Sequence, residues 1–392
     1  MEGPMTRVVV AMSGGVDSSV AAVLLKEQGF DVVGIMLRLW SELAAHEDDC
    51  VEHVVENKCC SEESVYDARR VAQKLDIPFY LYNVEEAFRA TVVDFFYDEY
   101  VAGRTPNPCL RCNRTIRFTV LLERALALGA EYLATGHYVR VDDDPTTGLR
   151  RLRRGVDLAK DQSYMLHVLN QEQIRHAIFP LGELTKPEVR AIAADRGLPV
   201  AAKAESQEIC FVAQNDYRGF MKRYASARQM VMAGAATPAD EATPAPDVAG
   251  LRPGPILALD GKQLGEHQGL ANYTIGQRKG LGITSAEPLH VLKLDAEMNA
   301  LVVGPARALE RDELTVRDMS YPRGVVPDGP FAAAVRIRYK APEIPAMVTP
   351  LSGGRAHIAL EQPQRAITPG QAAVMYGGPT GDEVLGGGII EG

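Results

Sequence analysis

Short β-branched apolar runs alternate with longer amphipathic stretches over roughly the first 215 residues of the chain. Residues 7–11 and 31–37 are runs rich in Val, Leu and Ile, of the length that fills a parallel sheet buried on both faces. Between them, 18–28 reads as a helix that Gly29 closes. Ser61 stands where an N-cap opens a helix to residue 75, and Asp76-Ile77-Pro78 ends it. The pattern then predicts a strand at 79–84, a helix at 85–100, and a polar loop containing prolines. A helix over 114–128 stops at Gly129, and a strand at 132–135 runs into Gly136-His137. Repeated strand–helix units predict an α/β fold, a doubly wound parallel sheet with its ligands outside the carboxyl ends of the strands.

The character changes after Tyr217. Residues 232–254 are rich in Ala, Pro and Gly, lack an amphipathic period, and predict a linker. Beyond it, 289–294, 300–303, 332–339 and 372–376 are short strand candidates between turn residues, the pattern of a small β-barrel. The expected organisation is an α/β domain over 1–216, a small β-rich domain over 217–294, and a C-terminal β-barrel over 295–392.

Composition refines this picture. A chain of 392 residues with 46% hydrophobic content has a core for each part. Six cysteines are too few for a disulfide scaffold and point to a reducing compartment with reactive or metal-binding thiols. No apolar run reaches the ~18–20 residues of a membrane span. The polar N-terminus has no signal-peptide pattern, so the expected location is the cytoplasm, with no membrane partner. The net charge of −9 argues against a nucleic-acid partner for the chain as a whole, yet such binding needs only a local basic surface. Three clusters offer one: Arg111, Arg114 and Arg117; Arg150, Arg151, Arg153 and Arg154; and Arg336, Arg338 and Lys340. Each alone reads equally well as a solvated face.

The segment Ala11-Met12-Ser13-Gly14-Gly15-Val16-Asp17-Ser18-Ser19 joins the first strand to the first helix. Its glycines permit close backbone approach, its serines offer hydroxyls, and the helix-start amides make an anion site. The plain alternative is a tight turn with a capping serine. The loop lacks the lysine and spacing of Gly-x-x-x-x-Gly-Lys-Ser/Thr. It resembles instead the PP-loop of ATP pyrophosphatases, which cleave ATP between the α and β phosphates and adenylate a substrate oxygen. That resemblance implies ATP binding by Ala11, Met12, Ser13, Gly14, Gly15, Val16, Asp17 and Ser18, with Asp17 helping to hold Mg²⁺. Met36, at the end of the second strand, and Gly136, after a later one, fall where such a sheet presents an adenosine pocket, although a core role is the commoner one for a methionine.

Cys109 and Cys112 form a C-x-x-C in Asn107-Pro108-Cys109-Leu110-Arg111-Cys112, and Cys210 follows in Ser206-Gln207-Glu208-Ile209-Cys210. A C-x-x-C at a helix entrance forms a disulfide, binds metal, or carries a thiolate stabilised by the helix and by Arg111 or Arg114. Zinc wants a fourth ligand, and no second C-x-x-C follows. Cys109, Cys112 and Cys210 together are a candidate set for a 4Fe–4S cluster with one open iron. Cys50, Cys59 and Cys60 lie in a polar stretch without a comparable setting.

With these motifs stand Gly103-Arg104-Thr105-Pro106-Asn107-Pro108, Ala134-Thr135-Gly136-His137-Tyr138, Lys160-Asp161-Gln162-Ser163-Tyr164, Gly265-Glu266-His267-Gln268-Gly269, the run from Thr274 to Gly282, and Leu385-Gly386-Gly387-Gly388-Ile389-Ile390. The whole chain resembles the tRNA-specific 2-thiouridylases of the MnmA type. The resemblance implies ATP-dependent adenylation of the C2 oxygen of the wobble uridine in tRNAs for Lys, Glu and Gln, then sulfur insertion. It implies Cys210 as carrier of a persulfide and Cys112 as the nucleophile that closes a disulfide with it. A sulfur-relay protein or cysteine desulfurase is the implied donor. Asn107, Pro108 and Cys109 would face the target base, and His137, Lys160, Asp161, Gln162, Arg338, Tyr339 and Gln371 fall at tRNA-contact positions. Some relatives carry Asp where this chain has Cys109, which leaves a persulfide relay and an iron–sulfur mechanism both open. Rival readings are another adenylating PP-loop enzyme and a non-catalytic RNA-binding protein with structural zinc.

Overall fold

Val8, Val9 and Val10 expose no surface, and they make Arg7–Met12 the middle strand of a five-stranded parallel sheet. The computed structural model describes residues 5–44, 53–55, 61–204, 209–212, 216–232 and 248–392. Cys50, Cys59 and Cys60 lie outside them. The sheet order is Phe79–Asn83, Asp31–Arg38, Arg7–Met12, Tyr132–Ala134, Ala177–Ile178, with every neighbour parallel. Successive strands add to one side of the first and then to the other, so the order reverses beside Arg7–Met12 and leaves a crevice there.

The helices start where local chemistry sets them. Val16–Glu27 opens at Gly15, two residues before the apolar period suggests. Glu62–Lys74 is capped by Ser61, whose hydroxyl accepts from the Ser64 amide at 3.2 Å. The helix expected at 114 begins instead at Pro108, because Asn107 caps it and Pro108 takes the first helical position. After Cys112 it continues through a wide turn, Asn113–Leu121, into Leu122–Ala127. The helix Tyr217–Met232 lies where no helix was expected and reaches into the expected linker. Of that linker, 233–247 lie outside the described residues, Ala249–Leu251 form a helical turn, and Gly254 already begins a strand.

A four-stranded sheet follows: Gln263–His267, Gly254–Ala258, Ala300–Gly304 and His290–Asp295. Its last hairpin runs across the expected boundary at 294/295. The C-terminal strands Glu310–Ser320, Arg355–Arg365, Ile344–Leu351, Phe331–Arg336, Ala372–Gly377 and Glu383–Ile390 close into a barrel, since the first also pairs with the last. The strand expected over 332–339 stops at Arg336, and Arg338 and Tyr339 lie in the turn beyond it. A hairpin from the α/β part, Val139–Asp143 with Arg150–Arg154, extends the barrel sheet.

One core spans both parts: Val9 and Leu133 cluster with Val374, Tyr376 and Val384. Above it, Arg154 and Arg336 lie over the Tyr376 ring, at 3.8 and 5.2 Å from its centroid. Glu343 joins the two guanidiniums at 2.5 and 2.7 Å. The Arg150–Arg154 cluster is therefore neither a basic surface nor a solvated face. Its other members pair with acids: Arg150 with Asp143 at 3.3 Å, Arg151 with Asp142 at 2.7 Å, and Arg153 with Asp142 and Asp382 at 2.8 Å each. Burial alone would push the Glu343 carboxyl up, but Arg154 and Arg336 outweigh it and hold the group below its usual range. A depressed carboxylate stabilises the fold above its ordinary pKa, about 4.3, and that stability is lost as pH falls through the lower folded value. Glu343→Gln leaves two guanidiniums facing each other and should cost on the order of 2–3 kcal/mol at neutral pH. Urea unfolding across pH should show this loss shrinking in acid; an unchanged midpoint at pH 7 would contradict the role.

Candidate active site at the sheet crevice

The crevice is built by backbone contact. Gly14 has φ +68°, and a Cβ there would lie 2.2 Å from the Ser64 carbonyl oxygen. A Cβ on Gly136 would lie 2.7 Å from the Asp17 carbonyl carbon and the Ser18 nitrogen. The loop after one strand thus rests on the helix start after its neighbour. Ser18 Oγ accepts from the Ser13 amide at 3.1 Å and lies 3.2 Å from Ser13 Oγ, while Ser19 Oγ donates to the Gly15 carbonyl at 2.8 Å. Gly15, at the N-cap, has no side chain to cap the helix it opens. The first amides of that helix point out of the N-terminus, the arrangement that binds anions.

Asp17 is held from two distant segments. Tyr138 donates its hydroxyl to Oδ1 at 2.7 Å, and Lys186 Nζ lies 2.7 and 2.9 Å from the two carboxylate oxygens. Sequence reading missed Lys186, which follows Asp17 by 169 residues. The one signal there is local, the capping box of Thr185 and Glu188 that starts the helix Lys186–Asp195. The Met36 side chain lies in the core beside Met12 and Val10, which is the commoner methionine role.

The cysteine loop is tied to the barrel. Asn107 Oδ1 accepts from the amides of Cys109 at 3.1 Å and Leu110 at 3.4 Å. The Thr105 amide donates to the Pro369 carbonyl at 2.9 Å, and Gln371 Nε2 donates to the Thr105 carbonyl at 2.8 Å. Gly370 packs on Thr105 with no space for a Cβ. Cys109 is exposed, Cys112 buried and Cys210 half-buried. Cys112 belongs to a core cluster with Phe96 and Phe211, and Cys210 packs against that same cluster. Arg111 is engaged elsewhere: it donates to the Thr91 carbonyl at 3.2 Å and lies over Phe95. Among the described residues, no three or more His, Cys, Asp and Glu side chains converge on a point where a metal could be held.

The expected tRNA contacts divide by burial. His137 is buried, with rings of Phe118 and Phe179 about it, and Thr135 Oγ1 lies 2.6 Å from Nδ1. Arg117 lies 3.4 Å from Nε2, so Nε2 is the acceptor and Nδ1 carries the proton. Burial first, and Arg117 second, push the His137 pKa down to about 3. Asp161 is also buried, accepting from the amides of Gly155 and Ser163 at 3.3 and 3.0 Å. Gln162 is half-buried and grips the Tyr138 backbone: its Oε1 accepts from that amide at 3.0 Å. These three side chains serve the interior. Lys160 and Gln371 are half-buried, and Arg338 is exposed. Tyr339 packs against Tyr164 at 5.8 Å and, with Asp161, Arg336 and Lys340, lines a cavity of about 330 Å³.

No helix among the described residues is long and apolar enough to cross a membrane. Gly136→Ala should push the 135–138 loop off the helix start. ATP affinity should fall about tenfold or more while the barrel stays folded, as nucleotide titration and circular dichroism would report. Wild-type affinity in that variant would refute the close-packing argument.

Residues 6–214 match a family model described as the tRNA methyl transferase HUP domain. Residues 247–305 match a tRNA methyl transferase PRC-barrel domain, and 311–390 an aminomethyltransferase beta-barrel domain. A tRNA-specific 2-thiouridylase of Moorella thermoacetica is 49% identical over 383 residues, covering 98% of this chain and 99% of its own length. The Roseiflexus castenholzii protein of the same name is 46% identical over 400 residues, covering 98% and 99%. That of Pelotomaculum thermopropionicum is 45% identical over 386 residues, covering 98% and 97%.

Proposed function

The chain belongs to the tRNA-specific 2-thiouridylase family, and from that membership we propose how its own residues divide the work of an ATP-dependent tRNA sulfurtransferase. The loop from Ala11 to Ser18 takes the phosphates of ATP. Asp17 meets the accompanying Mg²⁺, a hard cation that needs only one or two carboxylates when phosphates and water complete its shell. The C2 oxygen of the wobble uridine in tRNAs for Lys, Glu and Gln attacks the α phosphorus. Pyrophosphate leaves, and AMP becomes a leaving group on C2. Asn107, Pro108 and Cys109 face the base, which must leave its stack to be reached.

Cys210 carries the transferable sulfur as a persulfide charged by a desulfurase or relay protein. Its terminal sulfur attacks C2 and AMP departs. The Cys112 thiolate then attacks the Cys210 sulfur, releasing the thiolated base and closing a Cys112–Cys210 disulfide, which a thiol reductant opens with two electrons. The supporting observation is that Cys112 and Cys210 share one apolar cluster, while Cys109 is exposed. These steps run through the two thiols alone and need no iron.

Mass analysis of tRNA treated with iron-free enzyme, ATP and a persulfide donor tests this division. Cys112→Ala and Cys210→Ala should yield no thiolated uridine. Asp17→Ala should yield neither product nor AMP, and Cys109→Ala should retain substantial activity. Loss of activity in Cys109→Ala, restored only with bound iron, would reverse the assignment. Binding to tRNA should also weaken steeply with salt, because counterions are released from each neutralised phosphate. Arg338→Ala should reduce that salt slope by about one and leave ATP binding unchanged; an unaltered slope would remove Arg338 from the interface.

A further inference from the structure

We propose that Lys186 is the phosphate-binding lysine that the loop from Ser13 to Ser18 itself lacks, supplied by a helix far along the chain. The inference rests on the ATP reading above and deepens it by naming a residue. Gly-rich phosphate loops of the other kind carry a lysine within the motif, where it acts as a point charge on phosphate oxygens. Here the corresponding charge arrives through the tertiary structure.

The placement of Lys186 is over-determined at the backbone. It opens the helix Lys186–Asp195, and Thr185 and Glu188 cap that start reciprocally. The Lys186 amide donates to Asp157 Oδ2 at 2.9 Å. The helix packs against Val16–Glu27, the helix that begins at the phosphate loop. The Lys186 side chain is 9% exposed and carries its ammonium to within 2.7 Å of Asp17. Tyr138 lies nearby, its ring centroid 5.8 Å from Nζ and its hydroxyl on the same Asp17 oxygen.

Lys186 and Asp17 neutralise each other, which keeps an enclosed ammonium from being left uncompensated. A Mg²⁺–triphosphate changes the local balance. Asp17 turns to the cation, and the ammonium, on a flexible four-carbon stem, is left beside oxygens of the opposite charge. A purely structural lysine would do no more than pair with Asp17, and the two roles separate in a double-mutant cycle.

Calorimetric titration of the full-length protein with ATP, pyrophosphate and adenosine, in Mg²⁺ and in EDTA, tests the assignment. Lys186→Gln should weaken ATP and pyrophosphate about tenfold or more and leave adenosine unchanged, while Lys186→Arg should restore most of the loss. In an Asp17→Asn background, Lys186→Gln should cost a similar factor. Equal ATP affinity of Asp17→Asn and the double variant would overturn the proposal, because a mere partner of Asp17 has nothing left to lose. An equal loss for adenosine would overturn it too, as a sign of pocket collapse. If Lys186→Gln alone does not fold, the double variant, with both charges replaced by amides, supplies the comparison. Absence of ATP binding in the wild type would bring down the ATP reading as well; normal wild-type binding with an uncoupled Lys186 removes this inference alone.

Discussion

Backbone packed on backbone, with no space for even a methyl group, is the constraint from which the site is built. Gly136 rests on the Asp17–Ser18 peptide, and Gly14 rests on Ser64. The first contact sets how closely two neighbouring strand ends can deliver their loops. Because the 135–138 loop lies directly on the helix start, the Tyr138 hydroxyl reaches Asp17 and Gln162 can hold the Tyr138 backbone from behind. His137 is drawn inside by the same turn and stays neutral between Arg117 and Thr135. A side chain at Gly136 would loosen each of these relations at once, since its Cβ would lie 2.7 Å from the Asp17–Ser18 peptide.

The barrel is joined to this site by two seams of different chemistry. One is ionic and aromatic: Arg154 from the α/β part and Arg336 from the barrel share Glu343 and the face of Tyr376. Such a cluster costs desolvation and is weak as a source of net stability, but it admits few other arrangements and so sets the relative position of its elements. The other seam is backbone hydrogen bonding between Thr105 and the 369–371 turn. That seam reaches the cysteine loop directly. The barrel is thereby fastened to the segment bearing Asn107 and Cys109, two and four residues from the point of attachment.

The same architecture explains how an acidic chain accommodates so many arginines. In the strand Arg150–Arg154 they alternate across two faces, and Asp142, Asp143, Asp382 and Glu343 meet them from neighbouring strands and turns. Read along the chain they look like a basic patch. Read across the sheet they are half of an ion-pair ladder, and the outward positive charge falls instead to Arg338 and Lys340, both exposed beyond the end of Phe331–Arg336.

What the sequence determined by itself is whatever residues a few positions apart can decide. Val8–Val10 after Arg7 made a buried strand, Ser61 capped its helix, and Ser13-Gly14-Gly15 made the turn from which the first helix opens. The helix start at Pro108 is equally local, set by Asn107-Pro108 rather than by apolar periodicity. The tertiary structure alone decided the pairings of residues far apart in the chain. Lys186 met Asp17, Glu343 met Arg154, Cys210 joined the cluster of Cys112, and His137 and Asp161 turned inward. The physical reason is that caps, turns and strand patterns draw their energy from neighbours in sequence, whereas burial and ion pairing draw theirs from whatever the folded chain brings within a few ångströms.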